Sequence, residues 1–255
     1  MTPFDALILG IVEGVTEFLP ISSTGHLILT SALLHLADSD FLKTFEIVIQ
    51  LGAILAVVAL YYRSFLDIEI LKRLVVGFIP TGIIGLALYH VVKTYLIGNQ
   101  QLVLWALALG GLALIGFDMF HVESARTNDV RSITYKQAAT LGLFQSVAVI
   151  PGVSRSAATI VGGLMLGIER ATIVEFSFLL AVPTMVAASG LDLVKNASSF
   201  SGSDVLSLSI GFVVSFVVAL FAIKWLLSYV RNHSFWVFGV YRILIALAFY
   251  FFILR

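Results

Sequence analysis

Polar positions are so sparse along this chain that most of the stretches between them are long enough to cross a bilayer. A spanning helix needs about 20 apolar residues. Six stretches reach that length: 43–62, 74–92, 102–120, 172–192, 205–228 and 235–254. Two further apolar stretches are interrupted. Residues 4–36 carry the break FLPISSTGH at 18–26, and residues 138–168 carry VIPGVSRSAAT at 149–159. In each break a proline removes a helix donor and crowds the preceding turn. Each apolar arm, at about 1.5 Å per residue, is too short for roughly 30 Å of hydrocarbon. Both are therefore predicted as re-entrant helix–loop–helix hairpins, with loops surrounded by protein or a watery cavity. The fold class that follows is an all-α polytopic membrane protein, with six transmembrane helices plus two re-entrant hairpins in one membrane domain over 1–255.

The two breaks are related. A shift of 131 residues places Pro20 on Pro151, Ser23 on Ser154 and Phe45 on Phe176. The order of parts is shared as well: a proline-broken hairpin, then three spans, in each half. A hairpin returns to its own side and three spans are an odd number, so the halves lie upside down relative to each other. The prediction is an inverted-topology repeat, 1–120 and 137–255, joined by a linker at 121–136. Interrupted helices at equivalent places point to a binding site.

Composition agrees with a lipid solvent. Hydrophobic residues make up 60% of the 255 and charged residues only 12%, about half the charge of a soluble domain. Net charge is zero, so no basic field attracts nucleic acid. The absence of cysteine excludes disulfides, thiolate metal sites and cysteine nucleophiles. The first residues lack a basic region and carry Asp5, Glu13 and Glu17, unlike a signal peptide. On the predicted topology one side receives Arg63, Lys72, Arg73, Arg126, Arg131, Lys136, Arg170 and Arg231, the other Lys43, Lys93, Lys195 and Arg255. The positive-inside rule puts the richer side in the cytoplasm, so the mouth of the first hairpin faces outward.

The scarce polar residues cluster in the two breaks. Glu13 and Glu17 lie four apart, on one helix face inside an apolar run. Two carboxylates there suit a divalent cation, Mg²⁺ or Ca²⁺, or serve as proton donor and acceptor. After Pro20 come Ser22, Ser23, Thr24 and Gly25, then a new helical run. Hydroxyls cap that helix, and its N–H groups and positive dipole end suit an anion. Gly25 lets backbone approach a ligand closely. His26 is a candidate nucleophile, general acid, or base activating Ser23. In the second break Arg155 either pairs with Glu13 or Glu17 or holds phosphate with its fork, alongside Ser154 and Ser156. Glu46, Gln50 and Glu175 read as supporting or packing residues. Gly10, Gly14, Gly162 and Gly163 allow close helix contact. Asp118, Lys224 and Arg242 read as snorkelling near span ends. This inventory suits phosphoryl transfer: a guanidinium, helix N–H groups and a carboxylate-bound cation neutralise charge, and Ser23 or His26 supplies the nucleophile.

EGVTEFLPISSTGH (13–26) and PGVSRSAAT (151–159) closely resemble the two signature motifs of bacterial undecaprenyl pyrophosphate phosphatases of the BacA type. KTFEIVIQLGAILAVV and EFSFLLAVP also resemble that family's intervening segments, so the similarity covers nearly the whole chain from Ala6. The resemblance implies removal of the terminal phosphate from undecaprenyl pyrophosphate, recycling a cell-wall carrier lipid. It implies a divalent-cation requirement, an outward-facing site in the bacterial inner membrane, and bacitracin resistance on overproduction. By motif matching, Glu17 takes a metal or acid/base role, Ser23 or His26 the nucleophile role and Arg155 the phosphate clamp, beside Glu13, Thr24 and Ser154. Partners are then a prenyl diphosphate lipid and the membrane, with a homodimer compatible. The rival reading is transport: broken inverted repeats are typical of secondary transporters, and one anion site suits a carrier or flippase of a phosphate-bearing lipid.

Overall fold

The computed structural model of the chain describes residues 1–96, 98–120, 127–195 and 205–254. Among these the protein is all-helical, with one isolated bridge between Thr127 and Ile168. Arg126, Arg255, His121 and the linker residues 121–126 lie outside the described residues, as does the side chain of Lys195. Five helices are long and apolar enough to cross a membrane: α3 (Asp40–Leu60), α5 (Ile68–Val91), α6 (Gln100–Phe120), α9 (Arg170–Lys195) and α10 (Val205–Val230). This is a multi-pass membrane protein. The sixth expected span forms α11 (Trp236–Phe249), apolar but shorter, continued by a π-helical turn at Tyr250–Leu254. Exposed Leu86, Trp105 and Phe221 on the long helices meet lipid rather than water.

Local chemistry starts these helices ahead of the expected spans, α3 at Asp40 rather than 43 and α5 at Ile68 rather than 74. Ser39 accepts from Leu42 N–H to cap α3, and Asp67 accepts from Glu69 N–H to cap α5 after the short α4 (Tyr62–Leu66). The two interrupted stretches each form a pair of short helices. The first is α1 (Pro3–Thr16) and α2 (Ser23–Leu33); the second is α7 (Tyr135–Ser146) and α8 (Arg155–Met165). Thr2 with Asp5 and Thr134 with Gln137 make matching capping boxes at the starts of α1 and α7. At 14 and 11 residues, α1 and α2 extend about 21 and 16 Å, short of the hydrocarbon thickness.

Each short pair packs on a long helix far away in sequence: α1 lies along α10 and α7 along α5. In addition α3 contacts both α9 and α10, and α6 lies along α11. Small residues let the backbones touch. A Cβ at Gly10 would fall 2.9 Å from the Gly211 carbonyl, and one at Gly142 would fall 2.0 Å from the Gly77 carbonyl. Four residues on in each long helix, a hydroxyl bonds a neighbouring carbonyl: Thr81 to Gly142 at 2.8 Å and Ser215 to Ile49 at 2.7 Å. Gly162 and Gly163 likewise admit Phe144 and Ile173. The main core gathers Phe18, Phe176 and Phe178, with Phe18 and Phe178 edge to face at 5.3 Å.

Candidate active site

Helix α1 ends as it approaches Pro20, which has no N–H to continue it; Glu17 N–H still bonds the Glu13 carbonyl at 2.9 Å. In the second pair, a turn at 151–153 follows the 3₁₀ segment Val147–Val149. Ser22 and Ser154 immediately precede α2 and α8, and both hold positive φ, 70° and 77°. Such backbone in a non-glycine residue costs about 1–3 kcal/mol and persists only where surroundings enforce it. These serines are 132 residues apart, so the 131-residue register that aligns the prolines slips by one inside the loop. Ser22, not Ser23, is the backbone counterpart of Ser154. The longer loop contains Gly152 (φ 93°), where a Cβ would come within 2.9 Å of the Val103 carbonyl.

The slip places Ser23 and Arg155 as the first residues of their helices, and both reach Glu17. Ser23 Oγ donates to Glu17 Oε2 at 2.6 Å, and Arg155 Nη2 donates to Glu17 Oε1 at 2.8 Å. Arg155 Nη1 donates to the Ser177 carbonyl at 2.9 Å, and its guanidinium lies 5.7 Å from the centre of the Phe18 ring. Ser156 Oγ donates to the Phe18 carbonyl at 2.8 Å, so the two turns are also tied directly. Between them lies a cavity of about 200 Å³ lined by Glu17, Ser22, Ser23, Thr24, Gln50, Pro151, Gly152, Ser154, Arg155 and Met185. The N-termini of α2 and α8 both end on it. Ser154 Oγ caps α8 by accepting from Ala157 N–H, whereas Ser22 makes no side-chain cap on α2. Two positive helix ends and a guanidinium, the latter paired with Glu17, are features that suit an anion. A larger, open groove of about 530 Å³ beside Ile68, Val75 and Tyr135 holds none of these groups.

Of the sequence-predicted residues, the cavity wall gathers Glu17, Ser22, Ser23, Thr24, Ser154 and Arg155. Glu13 is fully buried one turn behind Glu17, and neither carboxyl oxygen has a hydrogen-bond partner among the described residues. His26 does not reach the cavity. Its Nδ1 lies 2.7 Å from the Ser22 carbonyl and its Nε2 lies 3.0 Å from the Tyr241 hydroxyl, with the rings stacked at 5.5 Å. Gly25 also faces away, with a Cβ position 2.9 Å from Leu107 Cδ1, so it serves helix contact rather than ligand approach. The Ser156 hydroxyl is engaged by Phe18.

Sequence reasoning assigned Gln50 to packing, yet it lines the cavity. Its signal was an amide one turn from Glu46 within an apolar span. Arg242 is corrected outright: it does not snorkel but is fully buried at mid-helix in α11. Seven residues of WVFGVYRILIALAF follow it, a placement too central for snorkelling to the helix end. Asp118, half-buried, is held in place rather than snorkelling: it lies 3.8 Å from Arg170 and accepts from the Trp236 N–H at 3.2 Å.

Residues 6–248 match the model of a family described as bacitracin resistance protein BacA. The chain is 53% identical over 251 residues to the undecaprenyl-diphosphatase of Sulfurihydrogenibium sp. (strain YO3AOP1), covering 98% of this chain and 99% of the relative. It is 52% identical over 250 residues to the undecaprenyl-diphosphatase of Aquifex aeolicus (strain VF5), covering 98% of each. A third, from Wolinella succinogenes, is 49% identical over 255 residues, covering 99% of each.

Proposed function

The chain belongs to the BacA bacitracin-resistance family, and on that premise we propose that it hydrolyses undecaprenyl diphosphate to undecaprenyl phosphate and inorganic phosphate. The single observation that carries the reading is the triangle of Ser23, Glu17 and Arg155 on one anion-binding cavity. A serine hydroxyl is a weak nucleophile until a base takes its proton. Glu17 accepts that hydrogen bond at 2.6 Å, closer than His26, whose nitrogens are engaged elsewhere.

The terminal phosphate binds against the N–H groups of α2 and α8, and Arg155 turns its fork to the phosphate oxygens. Ser23 Oγ attacks the terminal phosphorus while its proton passes to Glu17. The bond from that phosphorus to the bridging oxygen breaks, and undecaprenyl phosphate leaves with the electron pair. Glu17 hands that proton to the departing undecaprenyl phosphate, and water then attacks the phosphoserine, giving a proton to the Glu17 carboxylate so freed. Inorganic phosphate departs and Ser23 regains its proton.

A divalent cation belongs to the proposal. No cluster of three or more His, Asp or Glu side chains forms among the described residues. The fit rests on Glu13, whose buried oxygens meet no hydrogen-bond partner among the described residues, together with Glu17. Two carboxylates suit Mg²⁺, which keeps several waters and takes substrate phosphate oxygens, or Ca²⁺. When bound, the ion neutralises phosphate charge.

The topology we propose has α1–α2 and α7–α8 as re-entrant hairpins among six spans, in inverted repeats over 1–120 and 137–255. The exchanged packing of α1 on α10 and α7 on α5, and the paired positive-φ serines, support it. Loop charge supports a bacterial inner-membrane protein with the cavity mouth facing out. The transport reading has no separate observation in its favour. The test is phosphate release from a prenyl diphosphate and Mg²⁺ by purified protein in detergent. Release that falls at least about 10²-fold in Arg155→Ala supports the reading; intact substrate after prolonged incubation with the wild type overturns it.

A further inference from the structure

Arg242 is fully buried, and among the described residues no carboxylate lies within ion-pairing distance of it. Its guanidinium donates instead to five backbone carbonyls. Three belong to the two turns: Pro20 at 3.5 Å, Gly152 at 2.9 Å and Val153 at 2.8 Å. Two belong to α6: Ala106 at 2.8 Å and Leu107 at 3.3 Å. Gly110 makes the room, since a Cβ there would fall 2.2 Å from Nη2. A charge at this depth is expensive. One that could be replaced by an apolar side chain of similar volume calls for a role beyond packing.

The role follows from peptide geometry. Every peptide among the described residues is trans, so the C=O and N–H of one planar unit point in opposite directions. With the Val153 carbonyl held by Arg242, the N–H of Ser154 is turned to the other side. Ser154 lines the cavity, and its N–H has no acceptor among the described residues. The N–H groups of the flanking turn positions are used within the turns: Ile21 bonds Leu19 at 2.8 Å and Val153 bonds Ile150 at 3.2 Å.

We propose that Arg242 is a positioning residue: by gripping the carbonyls of both turns it presents the Ser154 N–H to a phosphoryl oxygen as that oxygen gains charge. The inference rests on the phosphatase reading of the same cavity. A fixed donor of this kind acts more on the transition state than on bound substrate. Lysine, a compact charge without a fork, does not span five carbonyls.

The experiment uses the full chain in detergent, with the variants Arg242→Lys and Arg242→Gln. Melting temperature, kcat, KM for a prenyl diphosphate, and inhibition by orthovanadate, which mimics five-coordinate phosphorus, are measured together. The expected result is kcat lower by about 10²-fold per folded molecule, KM within a few-fold, and vanadate weakened in step with kcat. Folded Arg242→Lys with wild-type kcat and vanadate affinity overturns the proposal; so does activity that only tracks the folded fraction. If both variants fail to fold, Gly110→Ala, which displaces the guanidinium without removing its charge, is held to the same split. In the wild type, vanadate is expected to slow exchange of the Ser154 amide hydrogen; bound vanadate that leaves that exchange unchanged also overturns the proposal. Wild-type protein that binds vanadate with Ser154 protection yet leaves the prenyl diphosphate intact would sink the phosphatase reading alone.

Discussion

Ser23 and Glu17 illustrate how little room two closely packed polar groups leave for substitution. The hydroxyl and carboxylate meet at 2.6 Å, and the same carboxylate binds Arg155 at 2.8 Å. On the mechanism proposed above the hydroxyl is the nucleophile, so Ser23→Ala is expected to lower kcat by on the order of 10³-fold or more, measured by phosphate release. Wild-type turnover quenched in neutral detergent, which preserves both phosphoserine and phosphohistidine, is expected to yield a phosphopeptide labelled at Ser23; a label on His26 would reassign the nucleophile. The neighbouring His26–Tyr241 contact makes a contrasting case. Tyr241→Phe removes one hydrogen bond behind the turn. It should cost about 1 kcal/mol of stability in thermal unfolding, with kcat staying within about tenfold. Glu17, Ser23 and Arg155 were legible because charge and hydroxyl groups within apolar runs have few bland explanations. Gln50 and Arg242 were not, because one amide or one cation in a long span does not reveal which neighbour it faces.

Among the elements, the proline breaks told where helices stop, since a missing N–H and a ring clash act locally. The one-residue slip was invisible, because aligning Pro20 with Pro151 fixes the register just ahead of Gly152. Only backbone angles show that the positive-φ serines correspond. The crossings of short helix on long helix are set by small residues, and their tightness is testable. A Cβ at Gly142 meets the Gly77 carbonyl at 2.0 Å and Pro80 Cδ at 3.2 Å. Neither partner is a flexible side-chain end. Gly142→Ala is therefore expected to destabilise the protein by about 1–3 kcal/mol, read as a lower melting temperature in detergent. An unchanged melting temperature would mean that α7 does not bear on α5 as described.

For the whole molecule, the natural absence of cysteine offers a direct test of orientation. Thr24 is exposed on the cavity wall, and Lys136 stands exposed beside the start of α7. In intact cells a membrane-impermeant maleimide is expected to label Thr24→Cys and spare Lys136→Cys until the membrane is opened. The reverse pattern would invert the proposed topology. The interleaving of distant segments also bears on how the chain is made. Helix α1 leaves the ribosome well before its packing partner α10, which begins only at Val205. During most of synthesis, therefore, α1 has only its sequence neighbours α2 and α3 to rest on. A chain halted before α10 is therefore expected to be cut by protease within α1 more readily than the finished protein, because the longest wall against which that helix rests has not yet been made.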